Sequence, residues 1–196
     1  MYQHFFKRVI GFILALFALP FVLIVAIPVA ILIKIEDGGP IFFRGKRIGK
    51  DLEEFRMYKF RSMKVNAPDI RNEDGSTYNA ENDPRLTKVG RFIRKTSIDE
   101  LPQILNVLFG QMAWIGPRPS PLGNINKYPE YYEKKCKVLP GITGYTQAKL
   151  RNAATLEERM ANDIYYAEHI SFPLDIKIVF MTISTVFCRK GIYHNK

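Results

Sequence analysis

Asp99 and Glu100 stand side by side in SIDELPQ, residues 97–103. They follow a run whose charges are all positive: Arg85, Lys88, Arg91, Arg94 and Lys95. Two acids there can begin a helix, or they can do chemistry on an anion that the basic run attracts. Ser97 and Glu100 spell the capping box S-x-x-E. With Ser97 as the cap, however, Pro102 falls beyond the first turn and costs a hydrogen bond. With Asp99 as the N-cap, Pro102 lies inside the first turn, where no intrahelical donor is needed. Capping accounts for one acid and does not require the other.

The chemical account uses the same geometry. A helix N-terminus carries partial positive charge, which keeps a carboxylate ionised and attracts phosphate. An ionised aspartate can attack phosphorus to give an acyl phosphate. Two anions repel, so the attack needs cations; Arg94 and Lys95, with or without Mg²⁺, can neutralise the phosphates. Neighbouring helical residues point about 100° apart, so the two acids should hold different roles. A second arginine stands in IGPRPSP, where Gly116, Pro117 and Pro119 hold Arg118 in a stiff backbone. A preorganised guanidinium suits bidentate phosphate recognition. Taken alone, the loop is a surface turn with an incidental arginine, and the dyad alone is a weak signal. Together they are a stronger one.

The composition points the same way. At 196 residues with 47% apolar side chains, the chain can bury a sizeable core, and its formal net charge of +10 favours an anionic partner. No helix-turn-helix, zinc or RNA-binding signature accompanies the basicity, which argues against nucleic acid. A metal-dependent phosphodiesterase would want a richer ligand set than three scattered histidines. Cys136 and Cys188 match no metal or redox spacing, which reads as inert packing in a reducing compartment.

Position in the cell is set by the N-terminus. Residues 9–33 are 25 residues without a formal charge, and about 20 suffice to cross a bilayer. Lys34-Ile35-Glu36 follows in place of a small-residue cleavage site, so the segment should remain as an anchor. Lys7 and Arg8 flank one end, and Lys34, Arg44, Lys46 and Arg47 the other. Cationic flanks prefer the cytoplasmic side, which suits a hairpin with both ends on one face. Pro20 and Pro28 each favour a kink, though a tilted spanning helix tolerates proline too. Both topologies put the rest of the chain in the cytoplasm.

After the anchor, EDGGP at 36–40 is turn material. IFFRGKRIG and EEFRMYKFRSM read as short strands or hairpin arms, and residues 65–84 as a mobile surface loop. RLTKVGRFIRK reads as a helix with Leu86, Val89 and Ile93 on one face and Lys88, Arg91 and Lys95 on the other. LPQILNVLFG is a second helix closed by Gly110. GPRPSP and LPGITG are rigid loops. Ile176, Val179, Phe180, Ile183 and Phe187 recur at helical spacing, as core or as a helix lying in the membrane interface.

The stretch ENDPRLTKVGRFIRKTSIDELPQILNVLFGQMAWIGPRP closely resembles the bacterial sugar transferase family, the monotopic polyprenyl-phosphate phosphoglycosyl transferases. The likeness continues in IFFRGKRIG, YKFRSM, PGITG and Arg151-Asn152, and covers nearly the whole chain. It implies a predominantly helical α+β fold with little β. Residues 1–36 would form a re-entrant membrane helix hairpin, and 37–196 a compact cytoplasmic catalytic domain with amphipathic interfacial helices. It implies that Asp99 is the nucleophile, attacking a UDP-sugar, releasing UMP and holding the sugar phosphate until polyprenyl phosphate takes it. Glu100 would be the partner acid, and Asp99 would also touch Mg²⁺. Arg94, Arg118, Lys59, Arg61, Thr143, Gln147, Arg151 and Asn152 would bind phosphate or substrate. The implied site of action is the inner leaflet of the bacterial cytoplasmic membrane, with no nucleic-acid partner and self-association allowed.

Three departures stand out. The family breaks its anchor at a Ser-Pro near position 24, where this chain has Ile24 between Pro20 and Pro28. GQMA at 110–113 replaces Gly-Asp-Met-Ser, and Leu150 stands where a glycine precedes the arginine. The last change bears on sugar recognition. The rival reading is a non-enzymatic, membrane-anchored basic adaptor for anionic lipids or assembly partners, which has no need of an acidic pair beside arginines.

Overall fold

The computed structural model describes residues 2–70, 78, 80, 82–122, 129–150 and 153–187; Arg151, Asn152 and Cys188 lie outside them. A π-helical turn over Tyr2–Phe6 leads into α1, Lys7–Asp37. The uncharged run stays helical throughout, and α1 includes both Pro20 and Pro28. It ends at Gly38, whose φ of 69° suits a residue without Cβ and whose N–H closes on the Lys34 carbonyl. This helix is long and apolar enough to cross a membrane, and most of its face is bare: Phe17, Phe21, Ile24 and Ile35 are each about 70% exposed or more.

The other face is covered along its length by the rest of the chain. β1 (Phe42–Ile48) and β2 (Glu54–Phe60) form the expected antiparallel hairpin, with Phe42 opposite Phe60 and Ile48 opposite Glu54. Alternation along β2 turns Phe55 and Met57 inward, where they meet Ala15 of α1. β4 (Ser120–Pro121) adds to the free edge of β1, while β3 (Ala113–Ile115) pairs in parallel with β5 (Gly141–Thr143). α2 (Lys88–Lys95) buries Ile93 against Val29, Ile33 and Phe60, and leaves Lys88, Arg91 and Lys95 in solvent as its periodicity predicts. A 3₁₀ segment over Ile98–Gln103 runs into α3 (Ile104–Leu108), and Gly110 follows at φ 71°.

α4 (Tyr145–Leu150), α5 (Leu156–Glu168) and α6 (Phe172–Phe187) form the C-terminal part, where Ala148, Tyr166 and Ile178 pack with Ile115. On α6 the core residue is Ile178, fully buried. Ile176, Val179, Phe180 and Ile183 are exposed, so these four are not core; the side chain of Phe187 lies outside those described. Part of the expected loop over 65–84 lies outside the described residues. Its ends are zipped together by Lys64 N–H to the Arg85 carbonyl (2.8 Å) and Thr87 N–H to the Ser62 carbonyl (3.2 Å). Arg85 itself is buried, donating to Asp83, to the Pro68 carbonyl and to the Tyr78 carbonyl. That arginine of the basic run is structural.

Both ends of α1 are tied to the same body. Near the start, Lys7 donates to Asp175 (2.6 Å) and to the Tyr166 hydroxyl, and the Tyr2 hydroxyl also reaches Asp175. One turn on, Trp114 Nε1–H donates to the Gly11 carbonyl at 2.8 Å. At the far end, Glu36 and Asp37 bond to α2 and to Arg61.

Candidate active site

Neither acid of the dyad caps a helix. Ser97 adopts φ 60°, in the left-handed region, and the chain enters a 3₁₀ turn closed by the Glu100 N–H on the Ser97 carbonyl (3.2 Å). No side-chain cap forms, and Asp99 sits inside the segment rather than at its start. The tighter turn takes Pro102 without needing a carboxylate as cap, so the capping expectation fails and both carboxylates are released for other uses.

Their surroundings differ. Glu100 Oε1 accepts from Lys59 Nζ at 2.6 Å and from Arg118 Nη2 at 3.0 Å. Partial burial opposes its ionisation, but those two cations and their hydrogen bonds hold the carboxyl well below the ordinary range. Asp99 is 6% exposed and has no side-chain hydrogen bond among the described residues; Lys59 Nζ stands 4.0 Å from Oδ2. Burial pushes its carboxyl upward against the pull of Lys59. Arg94 reaches in from the last turn of α2, attracted by the Asp99 charge, with Nη1 buried and unpartnered among the described residues. Gln103 Nε2 and both polar atoms of Gln147 are likewise buried without partners among the described residues.

Arg118 is aimed by its backbone. The IGPRP and PGITG loops press together so closely that a Cβ on Gly116 would lie 2.3 Å from the Leu139 carbonyl oxygen. Gly116 N–H donates to Thr143 O (2.9 Å) and Gly141 N–H to Pro117 O (3.0 Å). From below, buried Lys135 donates to the Arg118 carbonyl (2.9 Å) and to the Tyr132 hydroxyl (3.1 Å). Asp163, 1% exposed, accepts from Tyr132 (2.9 Å) and Thr146 (2.8 Å) and lies 3.7 Å from Lys135. Burial draws the Lys135 ammonium below its usual pKa, opposed by Asp163. Lys135, Tyr132 and Asp163 are the members that sequence reasoning missed: more than twenty residues separate the ends of the set, and YYEKKCK carries no motif.

A cavity of about 970 Å³ joins these groups. Lys59, Arg61, Arg94, Asp99, Glu100, Arg118, Thr143 and Gln147 all line it, with an apolar wall from Val22, Phe42, Phe43, Phe60 and Trp114. Two of the expected binders are committed elsewhere. Arg61 is held by Asp37 and by the carbonyls of Pro40 (2.6 Å) and Met63 (3.0 Å), and the Thr143 hydroxyl meets that of Thr182 at 2.9 Å.

No group of three or more His, Cys, Asp or Glu that could hold a metal occurs among the described residues. Mg²⁺ needs no such cage, because one or two carboxylates plus substrate phosphates and water complete its shell. Asp99, buried beside the cavity with no donor on its oxygens among the described residues, fits as that single carboxylate, whereas Glu100 is already spent on two cations.

A family model described as bacterial sugar transferase matches residues 2–189. The UDP-glucose:undecaprenyl-phosphate glucose-1-phosphate transferase of Escherichia coli is 40% identical over 95% of this chain and 41% of its own length. An uncharacterised sugar transferase of Bacillus subtilis is 38% identical over 95% of this chain and 89% of its own length. The UDP-N-acetylgalactosamine-undecaprenyl-phosphate N-acetylgalactosaminephosphotransferase of Aeromonas hydrophila is 38% identical over 95% of this chain and 45% of its own length. The chain thus spans less than half of the first and third, and most of the second.

Proposed function

The chain belongs to the bacterial sugar transferase family, and on that premise we propose that it moves a sugar 1-phosphate from a UDP-sugar to polyprenyl phosphate. An Asp99 oxygen attacks the sugar-side phosphorus, and the bond from that phosphorus to the bridging oxygen breaks, releasing UMP. A phosphate oxygen of the lipid then attacks the same phosphorus and displaces Asp99. The products are a polyprenyl diphosphate sugar and the free enzyme.

The observation that carries this reading is the division of labour within the dyad. Lys59 and Arg118 each donate to Glu100, which keeps them in place, while Asp99 meets the cavity with no side-chain hydrogen bond among the described residues. Arg94 and the amide of Gln147 face the same space with open hydrogen-bonding capacity, as a site for an anionic, polar ligand requires. Glu100 is suited to receive the proton of the incoming lipid phosphate once a substrate phosphate draws its cations away. Mg²⁺, when bound at Asp99, would neutralise diphosphate charge. An adaptor that only gathers anionic lipid has no use for a buried carboxylate without a hydrogen bond, which costs stability unless function needs it.

The anchor reading is a re-entrant segment with both ends on the cytoplasmic face. Its support is that one domain holds the start of α1 through Asp175 and its end through α2 and Arg61. A domain that grips both ends keeps both on its own side, and the cationic flanks favour the cytoplasm. Cysteine labelling at position 3 in intact cells tests it: no reaction with an impermeant external reagent is expected, and labelling from outside would overturn the topology.

Relatives of nearly equal identity are named for glucose and for N-acetylgalactosamine, so the sugar is to be measured. Detergent-solubilised protein, undecaprenyl phosphate, Mg²⁺ and a panel of UDP-sugars should release UMP with at least one donor. Lipid binding without UMP release from any donor would favour the adaptor.

A further inference from the structure

We infer that Glu36 and Asp37, the last two residues of α1, are positioning residues for the site: they fix the two elements that carry Arg94 and Lys59. The inference rests on the transferase reading for its kinetic readout and on geometry for the rest. In the sequence this pair reads only as the start of a turn.

Glu36 works on α2. Its Oε1 accepts from the backbone N–H of Lys88 at 2.6 Å and its Oε2 from that of Val89 at 3.0 Å. Thr87 Oγ1 accepts from the Gly90 N–H at 2.8 Å. The first three free donors of α2 are therefore satisfied, two of them by a carboxylate that belongs to the membrane helix. A helix start held by its own cap can drift with its loop; this one is pinned to α1. Arg94 lies six residues after Lys88 on the same short helix, within reach of the Asp99 charge.

Asp37 works on β2. Its carboxylate takes both terminal nitrogens of Arg61, at 2.7 Å to Nη1 and in a second contact to Nη2, while the guanidinium also donates to Pro40 and Met63. Lys59, two residues back along β2, points to Glu100. The two arms meet again at Gly90. A Cβ there would sit 1.8 Å from the Ser62 carbonyl oxygen, so α2 rests directly on the chain that leaves β2. The last turn of α1, the end of β2 and the start of α2 thus form one three-way joint. Lys59 and Arg94 are carried by elements of this joint, and both line the cavity with the dyad.

The joint lies at the surface, where Asp37 keeps 28% of its side chain exposed and the Glu36 contacts are exposed too. Its removal should therefore leave a folded protein whose cations are misplaced. The test uses the full-length protein in detergent. Glu36→Ala should lower kcat for UMP release roughly tenfold with KM for the UDP-sugar changed less than about threefold, because small displacements cost turnover before binding. In an Arg94→Lys background the same substitution should cost less than about twofold, since both changes act through one group. Glu36→Gln, which keeps an acceptor, should recover most of the loss. Equal fractional losses in both backgrounds, or unchanged kcat in Glu36→Ala, would reduce Glu36 to a helix cap and overturn the inference.

Backbone hydrogen exchange gives a readout that does not depend on activity. Glu36→Ala should speed exchange at 88–90 and also at 97–100, whereas a local cap would change only the first. If the wild type releases no UMP from any donor, the transferase reading fails and the exchange at 97–100 still decides the joint. Asp37→Asn is the second arm. Should it not fold, the Glu36 variants are sufficient.

Discussion

The two sides of the dyad are built on opposite principles. On the Glu100 side every strong group is paired: Lys59 and Arg118 bond the carboxylate, and Lys135 bonds the carbonyl of Arg118 over a buried Tyr132–Asp163–Thr146 network. On the Asp99 side the groups are buried and lack hydrogen bonds among the described residues: the carboxylate has Lys59 only at 4.0 Å, and Arg94 Nη1 and the amide of Gln147 have no partner. Paired polar groups hold a shape, and unpaired ones keep a cost in reserve that a ligand removes. The chain spends one carboxylate on architecture and leaves its neighbour for chemistry.

The contrast is sharpest in a pair of neutralising substitutions. Asp99→Asn should abolish UMP release, because an amide is a poor nucleophile. Its melting temperature should hold or rise, since a buried carboxylate that has no hydrogen bond is removed. Glu100→Gln should lose activity severely and also lose roughly 1 kcal/mol of stability, as Lys59 and Arg118 keep only a neutral acceptor. Thermal melts beside turnover assays separate the two patterns; equal destabilisation by both variants would erase the distinction between the sides.

Arg118→Lys comes next. It keeps the charge but loses the planar fork, and the loss of one charge-assisted hydrogen bond corresponds to about tenfold in turnover. Near-normal kcat would make Arg118 a general source of positive charge. The smallest effect belongs to a pair outside the contrast. Lys46 and Glu54 face each other at 3.3 Å with about half of each side chain exposed. Replacing either by alanine should move stability by less than about 0.5 kcal/mol and leave turnover unchanged.

Much of this arrangement was legible in the residues, and the exceptions have physical causes. The dyad, the basic helix face of α2, the β1–β2 hairpin and the stiff Arg118 loop all rest on short-range signals: periodicity, proline and glycine. The capping alternative for Asp99 fails because Ser97 enters the left-handed region and turns the segment into a 3₁₀ helix, which no local pattern announces. Arg61 and Arg85 look like phosphate binders by type, yet Asp37 and Asp83 claim them. Which arginine is free depends on acids brought in by the fold. The support beneath Arg118 is assembled from residues 132, 135, 146 and 163, and no spacing rule links them. The apolar stripe of α6 was ambiguous between core and interface until Ile178, on another face, proved to be the buried residue.

The central claim is that Asp99 takes the sugar phosphate covalently. Intact-protein mass after incubation with an accepted UDP-sugar and Mg²⁺, without lipid acceptor, tests it directly. The wild type should gain the mass of one sugar phosphate, an adduct lost on adding undecaprenyl phosphate. Glu100→Gln should form it weakly, and Asp99→Asn should remain at its unmodified mass. A folded Asp99→Asn protein that still forms the adduct, or turns over at the wild-type rate, would contradict the account.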